Sequence, residues 1–205
     1  MTPRPTSSAR GRRAPARAAA VESPAVAPFK PIGLMVLGMH RSGTSATTRT
    51  LSLLGAALPK ELLEANQYNP TGYWEPSRLR TLHDDLLREL DIRWDDWSAI
   101  DADWFRSPLA RRYAREFAAF LADEFRNEPL FVLKDPRACR FVRLWRQAFD
   151  QAGMELKPVL ALRNPMDVAS SLAERDGMPE TKAVFLWLRY MLEAEAGTRG
   201  LSRPS

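Results

Sequence analysis

One stretch of the sequence, Gly38 to Ser45, has the residue types and spacing of a phosphate-binding loop. Its two glycines are separated by four residues and are followed by Thr44 and Ser45, between an apolar run of strand length and a helix-forming run. In this arrangement the loop N–H groups and the first N–H groups of the helix converge, and the helix dipole adds partial positive charge. The stretch therefore predicts an anion site suited to a phosphate group.

The loop differs from a nucleoside-triphosphate P-loop at one informative position. A P-loop places lysine before its final Ser or Thr, where the ammonium reaches the β- and γ-phosphates and the hydroxyl holds Mg²⁺. Thr44 occupies that position here, and the cation comes earlier, at Arg41. The sequence thus predicts phosphate binding without the arrangement for ATP or GTP hydrolysis, which leaves a P-loop nucleotide kinase or NTPase as the less favoured alternative.

Two further charged stretches follow predicted strands. The tetrad Lys134 to Arg137 (Lys-Asp-Pro-Arg) follows the apolar run 130–133, and Arg163 follows the run 158–162. Ligands of α/β sheets bind at the carboxyl ends of the strands, so we expect both stretches to lie beside the loop. The fork of Arg163 and the hydroxyl of Ser171, on the helix that follows, can bind a terminal phosphate together.

Strand and helix patterns alternate along the rest of the chain. Strands are predicted at 31–37, 130–133 and 158–162, and helices at 46–54, 77–90, 108–125, 140–152 and 180–196. This alternation predicts the α/β class, as a P-loop-type three-layer fold with a small, mostly parallel sheet flanked by helices on both faces.

These motifs resemble those of sulfotransferases that use 3′-phosphoadenosine 5′-phosphosulfate (PAPS). In that family the 5′-phosphosulfate loop has a basic residue before Ser/Thr-Gly-Thr-Thr/Ser, as in Arg41 to Ser45. Its 3′-phosphate motif has an arginine at a strand end, then Asn/Asp-Pro and a serine on the next helix, which Arg163 and Ser171 match. The resemblance covers about residues 33–201. It implies PAPS as the co-substrate, no metal, and PAPS-binding residues His40, Arg41, Ser42, Gly43, Thr44, Ser45, Arg163 and Ser171.

The same resemblance implies that Arg41, Glu75 and Lys134 are catalytic. The Lys-Asp-Pro-Arg block is similar to one in bacterial sulfotransferase-like proteins, and Lys134 would act on the sulfuryl oxygens or the leaving phosphate. Glu75 ends a Gly-aromatic-aromatic-Glu segment similar to theirs and would take the acceptor proton. A carboxylate behind two aromatic residues can be partly desolvated, which raises its pKa and makes it a better base. We expect Asp135 and Arg137 to brace the loop through an ion pair.

Alternative interpretations accompany each of these residues. Glu75 also fits a surface acid at the start of the helix 77–90, where the dipole favours it. His83 is the alternative base, although a partly exposed helix position suits it better, and His40 is interpreted as a positioning residue. For the tetrad that begins at Lys134, an exposed turn closed by Pro136 is the less favoured alternative.

A short aromatic segment, Trp94 to Trp97, follows the helix 77–90. Its tryptophans could line an acceptor pocket, but a lid or a satellite core cluster is the favoured interpretation. Asp95 and Asp96 have no further ligands at useful spacing, so they predict a solvated turn and no metal site.

Composition divides the chain into an N-terminal tail and one domain. Of 205 residues, 45% are hydrophobic and 27% charged, which suits one folded domain, 29–205. Residues 1–28 carry five arginines against one acid, a net +4 in a chain of +5, and are predicted to be a disordered basic tail. The basic tail leaves open a contact with nucleic acid or a role as an organelle transit peptide, but a solvated tail is the favoured interpretation, so no nucleic-acid partner is expected. No apolar run is long enough to span a membrane, so no membrane segment is expected. The single cysteine, Cys139, fits a reducing compartment, and a cytoplasmic location is expected.

The combined interpretation is a sulfotransferase that moves the sulfuryl group from PAPS to an acceptor hydroxyl or amine on a small molecule or carbohydrate. Related chains usually continue further, so this chain is expected to be short at its C-terminus. That expectation makes a non-catalytic protein that binds PAPS or its product the alternative. The motifs leave the acceptor and the oligomeric state open.

Overall fold

The computed structural model describes residues 29–67 and 71–201, and these residues form a parallel sheet with helices on both faces. The strands are β1 (Ile32–Leu37), β2 (Leu130–Lys134) and β3 (Glu155–Leu160). The helices are α1 (Thr44–Leu53), α2 (Ser77–Glu89), α3 (Pro108–Phe125), α4 (Val142–Ala152), α5 (Pro165–Asp176) and α6 (Glu180–Thr198). Two 3₁₀ helices cover Trp104–Arg106 and Pro136–Phe141. The predicted tail, 1–28, lies outside the described residues.

The sheet has the order β2-β1-β3, and both strand pairs are parallel. Val36 of β1 lies opposite Lys134 of β2, and Leu37 lies opposite Leu160 of β3. Because the three strands point the same way, their carboxyl ends open on one edge of the sheet. The α/β class and the small parallel sheet predicted from the sequence are confirmed.

Side chains of the central strand β1 alternate between two hydrophobic clusters, as the pleat of a strand requires. Met35 and Leu37 face the larger cluster, which contains residues of α2 to α6. Leu34 and Val36 face a smaller cluster to which Leu51 of α1 also belongs. The sheet is therefore the middle layer of three.

Stacked aromatic rings hold α3 and α4 to each other and to the sheet. Phe125 of α3 stacks on Phe131 of β2 with ring centroids 4.1 Å apart. Phe117 of α3 stacks on Trp145 of α4 at 4.4 Å. These rings are fully buried, so the amphipathic pattern that predicted a helix at 108–125 reflects packing in the core.

Several element boundaries differ from those predicted by a few residues, and the starts of β3 and α4 are the most informative. β3 begins at Glu155, three residues before the predicted start at Pro158, because Glu155 to Lys157 pair with the start of β1. Pro158 is tolerated inside β3 because this strand pairs only with β1 in the described sheet and leaves its other edge unpaired. The predicted helix 140–152 begins as the 3₁₀ turn Pro136–Phe141 and becomes α-helical at Val142.

Candidate functional site

The predicted phosphate loop is a tight turn that joins the end of β1 to the start of α1. Arg41 (φ 68°) and Gly43 (φ 82°) both adopt the left-handed conformation within it. At its base, a Cβ on Gly38 would lie 2.7 Å from the carbonyl oxygen of Ala161, so only glycine lets the loop pack this closely against the chain after β3. No side chain of the described residues caps the start of α1 by a hydrogen bond. The first-turn N–H groups are thus left for an anion.

The two predicted phosphate motifs, far apart in the sequence, meet beside this loop. The Nε–H group of Arg41 donates a hydrogen bond to Ser171 Oγ at 2.8 Å. Arg163 Nη1 donates to the carbonyl oxygen of Arg41 at 3.1 Å. The helix that carries Ser171 is capped by Asn164, whose side chain accepts from Met166 N at 2.9 Å. The expected convergence at the carboxyl edge of the sheet is therefore present.

Lys134, the last residue of β2, is buried, and its ammonium group donates to three oxygen atoms of the protein. These are Glu75 Oε1 at 2.6 Å, the carbonyl oxygen of Tyr73 at 3.1 Å and Ser45 Oγ at 3.2 Å. Ser45 Oγ itself donates to the carbonyl oxygen of Tyr73 at 3.0 Å. An ammonium group has three donors, so this arrangement uses all of them.

Glu75 is buried beside Lys134, with only 5% of its surface exposed. Burial raises the pKa of Glu75 above its usual value, although the Lys134 charge opposes this, because removal from water disfavours the ionised form. The Arg137 guanidinium stands further off, with Nη1 3.9 Å from Glu75 Oε2. The alternative of a surface acid at the start of α2 is wrong for Glu75.

A buried polar network braces the end of β2, and it includes the predicted ion pair. Arg137 donates to Asp135 Oδ1 through its backbone N–H at 2.9 Å and through Nη1 at 3.1 Å, and its Nε lies 2.8 Å from Asp84 Oδ1. Although burial opposes ionisation, the charge of Arg137 and the ring of His83 hold the pKa of Asp135 well below its usual range. The tetrad is thus a buried structural unit and not an exposed turn.

His83 belongs to this network and is fully buried, so the expectation of a partly exposed position is wrong. Trp145 Nε1 donates to His83 Nε2 at 3.2 Å, which places the ring proton on Nδ1. Nδ1 then donates to Asp135 Oδ2 at 2.9 Å. Both ring nitrogens have partners inside the protein, so His83 is a poor candidate for the base of an acceptor.

Two polar atoms of the loop are buried without a hydrogen-bond partner among the described residues, His40 Nε2 and Ser42 Oγ. The His40 ring packs against Trp94, with centroids 4.8 Å apart, and against Tyr190 at 6.1 Å. Burial, with the charge of Arg137, lowers the pKa of His40 well below its ordinary value, so the ring is neutral at pH 7. Buried polar groups without partners are uncommon in proteins, so these two atoms are candidates to hydrogen-bond a ligand.

A cleft of about 1340 Å³ opens above these groups. Its walls include most of the predicted site residues: His40, Arg41, Gly43, Thr44, Ser45, Glu75, Lys134 and Arg163. Ser42 and Ser171 do not line the cleft. Ser171 contacts it indirectly, through its hydrogen bond with Arg41. Among the described residues the lining contains seven basic side chains (Arg41, Arg49, Arg80, Lys134, Arg137, Arg163 and Arg175) and three acidic ones (Glu64, Glu75 and Asp176). The cleft is therefore cationic, as an anionic ligand requires.

Several lining residues were not predicted from the sequence, although helical spacing marks two of them. Arg49 lies four residues after Ser45 in α1, and Arg175 lies four residues after Ser171 in α5. Side chains at this spacing share a helix face, so each arginine extends a predicted motif by one turn. Trp74, in an irregular segment, gave no comparable signal.

Trp94 also lines a smaller cavity of about 820 Å³, with Trp97, Asp95 and Lys182 in its walls. The segment is tied down, because Tyr190 donates to the carbonyl oxygen of Trp94 at 2.6 Å. Asp95 pairs with Lys182 at 2.5 Å. Trp94 packs against the larger core cluster and also lines the cleft, whereas Trp97 is exposed. The satellite-cluster interpretation and its pocket alternative both stay predictions.

The described residues contain no group of three or more His, Cys, Asp or Glu side chains arranged to hold a metal ion. Within the same part of the chain, none of the helices has the length and apolar character needed to cross a membrane. Comparisons with protein-family models, with curated proteins and with solved structures gave no match for this chain.

Proposed function

We propose that the protein transfers a sulfuryl group from PAPS to a hydroxyl or amine of an acceptor. The observation that carries the proposal is the direct contact of two anion motifs distant in sequence, through Arg41 with Ser171 at 2.8 Å and through Arg163 with Arg41 at 3.1 Å. A nucleotide with anionic groups on both its 5′ and its 3′ positions matches two adjacent anion sites. A nucleoside triphosphate has its anionic groups on one side only.

The chain's own groups fit such a donor. The N–H groups at the start of α1 and the guanidinium of Arg41 suit the 5′-phosphosulfate, and Arg163, with Ser171 behind Arg41, suits the 3′-phosphate. The buried hydroxyl of Ser42 and Nε2 of His40 have no partner among the described residues, as expected for groups that hydrogen-bond once a ligand is bound. Thr44, where a P-loop has lysine, argues against ATP or GTP hydrolysis.

The transfer would be an in-line displacement, similar to phosphoryl transfer. The acceptor oxygen or nitrogen forms a bond to sulfur while the bond from sulfur to the bridging phosphate oxygen breaks. The electron pair of that bond leaves with adenosine 3′,5′-bisphosphate, and the acceptor proton passes to the carboxylate of Glu75. Arg41 and Lys134 would stabilise the negative charge on the sulfuryl and bridging oxygens.

The Lys134–Glu75 pair would couple donor binding to activation of the base. Lys134 already uses its three donors on Glu75, Tyr73 and Ser45, so it must release one of them to reach an oxygen of the donor. If it releases Glu75, the charge that lowers the pKa of this carboxyl is withdrawn, and Glu75 becomes a stronger base.

The same pair favours the second candidate, a non-catalytic protein that binds PAPS or its product. In the structure both proposed catalytic groups are engaged with each other at 2.6 Å. This alternative predicts tight binding of adenosine 3′,5′-bisphosphate and no transfer. In either case the proposal requires no metal and keeps the expected cytoplasmic location and the small-molecule or carbohydrate acceptor.

Calorimetric titration with adenosine 3′,5′-bisphosphate tests the donor site, with ATP–Mg²⁺ and adenosine 5′-phosphate as reference ligands. The bisphosphate should bind tightest, and Arg163→Gln should weaken it by about tenfold while leaving adenosine 5′-phosphate nearly unchanged. The matched control is Arg126→Gln, which removes an exposed arginine away from the cleft. Equal weakening of both nucleotides, or a preference for ATP–Mg²⁺, would refute the donor assignment.

Consumption of PAPS in an acceptor screen then separates the two candidates. For an active protein, Glu75→Gln should lower turnover by about 10²- to 10⁴-fold without loss of bisphosphate binding. Turnover within a few-fold of the parent would exclude Glu75 as the base. Intact binding with no PAPS consumption across the screen would favour the non-catalytic alternative.

A further inference from the structure

Arg49 and Trp74 form a cation–aromatic pair on the wall of the cleft. The guanidinium carbon of Arg49 lies 4.8 Å from the centroid of the Trp74 ring, and both residues line the cleft. A guanidinium stacked on a ring keeps its N–H groups at its edge, where they can bind a planar anion. The pair thus offers hydrogen-bond donors beside an apolar surface.

The Trp74 backbone is held in an unfavourable conformation next to the proposed base. Its φ of 57° lies in the left-handed region, which a bulky side chain rarely adopts. The adjoining Tyr73 is fixed at two points, because its carbonyl oxygen accepts from Ser45 and its hydroxyl donates to Asn66 Oδ1 at 2.8 Å. Glu75 follows directly in the sequence, and Trp74 and Glu75 both line the cleft.

The positive charge of Arg49 is not neutralised by an acidic side chain of the described residues. Its hydrogen bond is a long one, from Nη1 to Ser52 Oγ at 3.5 Å. By contrast, Arg163 stands 3.6 Å from Asp167, and Arg175 pairs with Asp176 at 2.6 Å. The charge of Arg49 is therefore available to a ligand.

We propose that Arg49 and Trp74 bind the acceptor, and that this acceptor is a saccharide that carries its own carboxylate. The proposal rests on the proposed sulfuryl transfer, in which the anionic groups of the donor already have partners in the loop, Lys134 and Arg163. A pyranose ring packs its C–H face on an indole, while the edge of a guanidinium binds a carboxylate through paired N–H groups. Glu75 lines the same cleft, which puts the proposed base and the proposed acceptor site in one cavity.

The test compares two ligands with the same sugar skeleton, digalacturonic acid, which carries two carboxylates, and its uncharged dimethyl ester. Each is titrated by calorimetry into the protein saturated with adenosine 3′,5′-bisphosphate, at physiological ionic strength so that unspecific attraction is screened. The acid should bind about tenfold tighter than the ester, and Arg49→Gln should abolish that preference. Affinity for the bisphosphate should stay within about twofold, and Arg126→Gln, which removes the same charge elsewhere, should keep the preference.

The outcomes separate this inference from the proposed function. Equal affinity for acid and ester, binding of neither, or a preference that survives Arg49→Gln would each overturn the acceptor assignment. Weaker bisphosphate binding by Arg49→Gln would also overturn it, because Arg49 would then serve the donor. Failure of the unchanged protein to bind the bisphosphate would instead overturn the proposed sulfuryl transfer on which the assignment rests.

Discussion

The substitution Lys134→Met tests how strongly the buried pair holds the site together. Methionine keeps most of the bulk of the side chain and removes its charge. Glu75 Oε1 then loses its partner at 2.6 Å and retains Arg137 at 3.9 Å from its other oxygen. Breaking a buried ion pair by removing one partner costs about 3–5 kcal/mol. Since domains are stable by about 5–15 kcal/mol, we expect a large part of the stability to be lost.

The loss of stability caused by Lys134→Met should depend on pH, and the titration of Glu75 determines whether it is larger at low or at high pH. Burial already raises the pKa of Glu75, and loss of the Lys134 charge, which lowers it, raises this pKa further. A carboxyl whose pKa is higher in the folded state stabilises the fold below the unfolded pKa and loses that contribution as pH rises through the folded pKa. The Lys134→Met protein should therefore be less destabilised at about pH 5 than at about pH 8, because a proton replaces the lost charge.

Urea unfolding at both pH values, followed by tryptophan fluorescence, measures the free energy of unfolding. The double variant Lys134→Met/Glu75→Gln should recover about half of the loss, because no lone charge stays buried. The control is the exposed pair of Arg88 and Asp85, 2.5 Å apart in α2, where Arg88→Met should cost less than about 1 kcal/mol at either pH. A Lys134→Met cost below about 1 kcal/mol, or a larger cost at the acidic pH, would refute this reasoning.

Two further substitutions or modifications test the core around the site. His83→Leu leaves Asp135 Oδ2 and Trp145 Nε1 without their buried partner. We expect the free energy of unfolding to fall by about 3 kcal/mol and the Tm in a thermal scan to fall by about 6–12 °C. An unchanged Tm would contradict the role of His83 in the network. Burial raises the pKa of the Cys139 thiol to about 12. Iodoacetamide at about pH 8 should therefore label this thiol only in denaturant, as measured by mass spectrometry. Rapid labelling of the native protein would contradict the buried position of Cys139.

The part of the cleft proposed to bind the donor could be predicted because its residues follow strand ends. Lys134 and Arg163 each follow an apolar run, and parallel strands bring such positions to one edge whatever the details of packing. The extra arginines were within reach of the same method, since Arg49 and Arg175 repeat at helical spacing after predicted motif residues. His83 was also within reach, because it lies four residues after Leu79 and three before Leu86, on the buried face of α2.

The part of the cleft proposed to bind the acceptor depends on contacts that no local pattern encodes. The irregular chain between α1 and α2 folds back on itself, with a bridge between Leu62 and Pro76 and a hydrogen bond from Leu63 N–H to the carbonyl oxygen of Glu75 at 2.8 Å. This return carries Glu75 to the end of β2, 59 positions away in sequence, where it meets Lys134. Hydrophobic periodicity predicts helices and strands, because their buried residues recur at regular spacing. An irregular segment held by individual contacts has no such spacing. For the same reason the sequence does not predict the left-handed backbone of Trp74. The part of the cleft that would select an acceptor is therefore the part for which a structure was required.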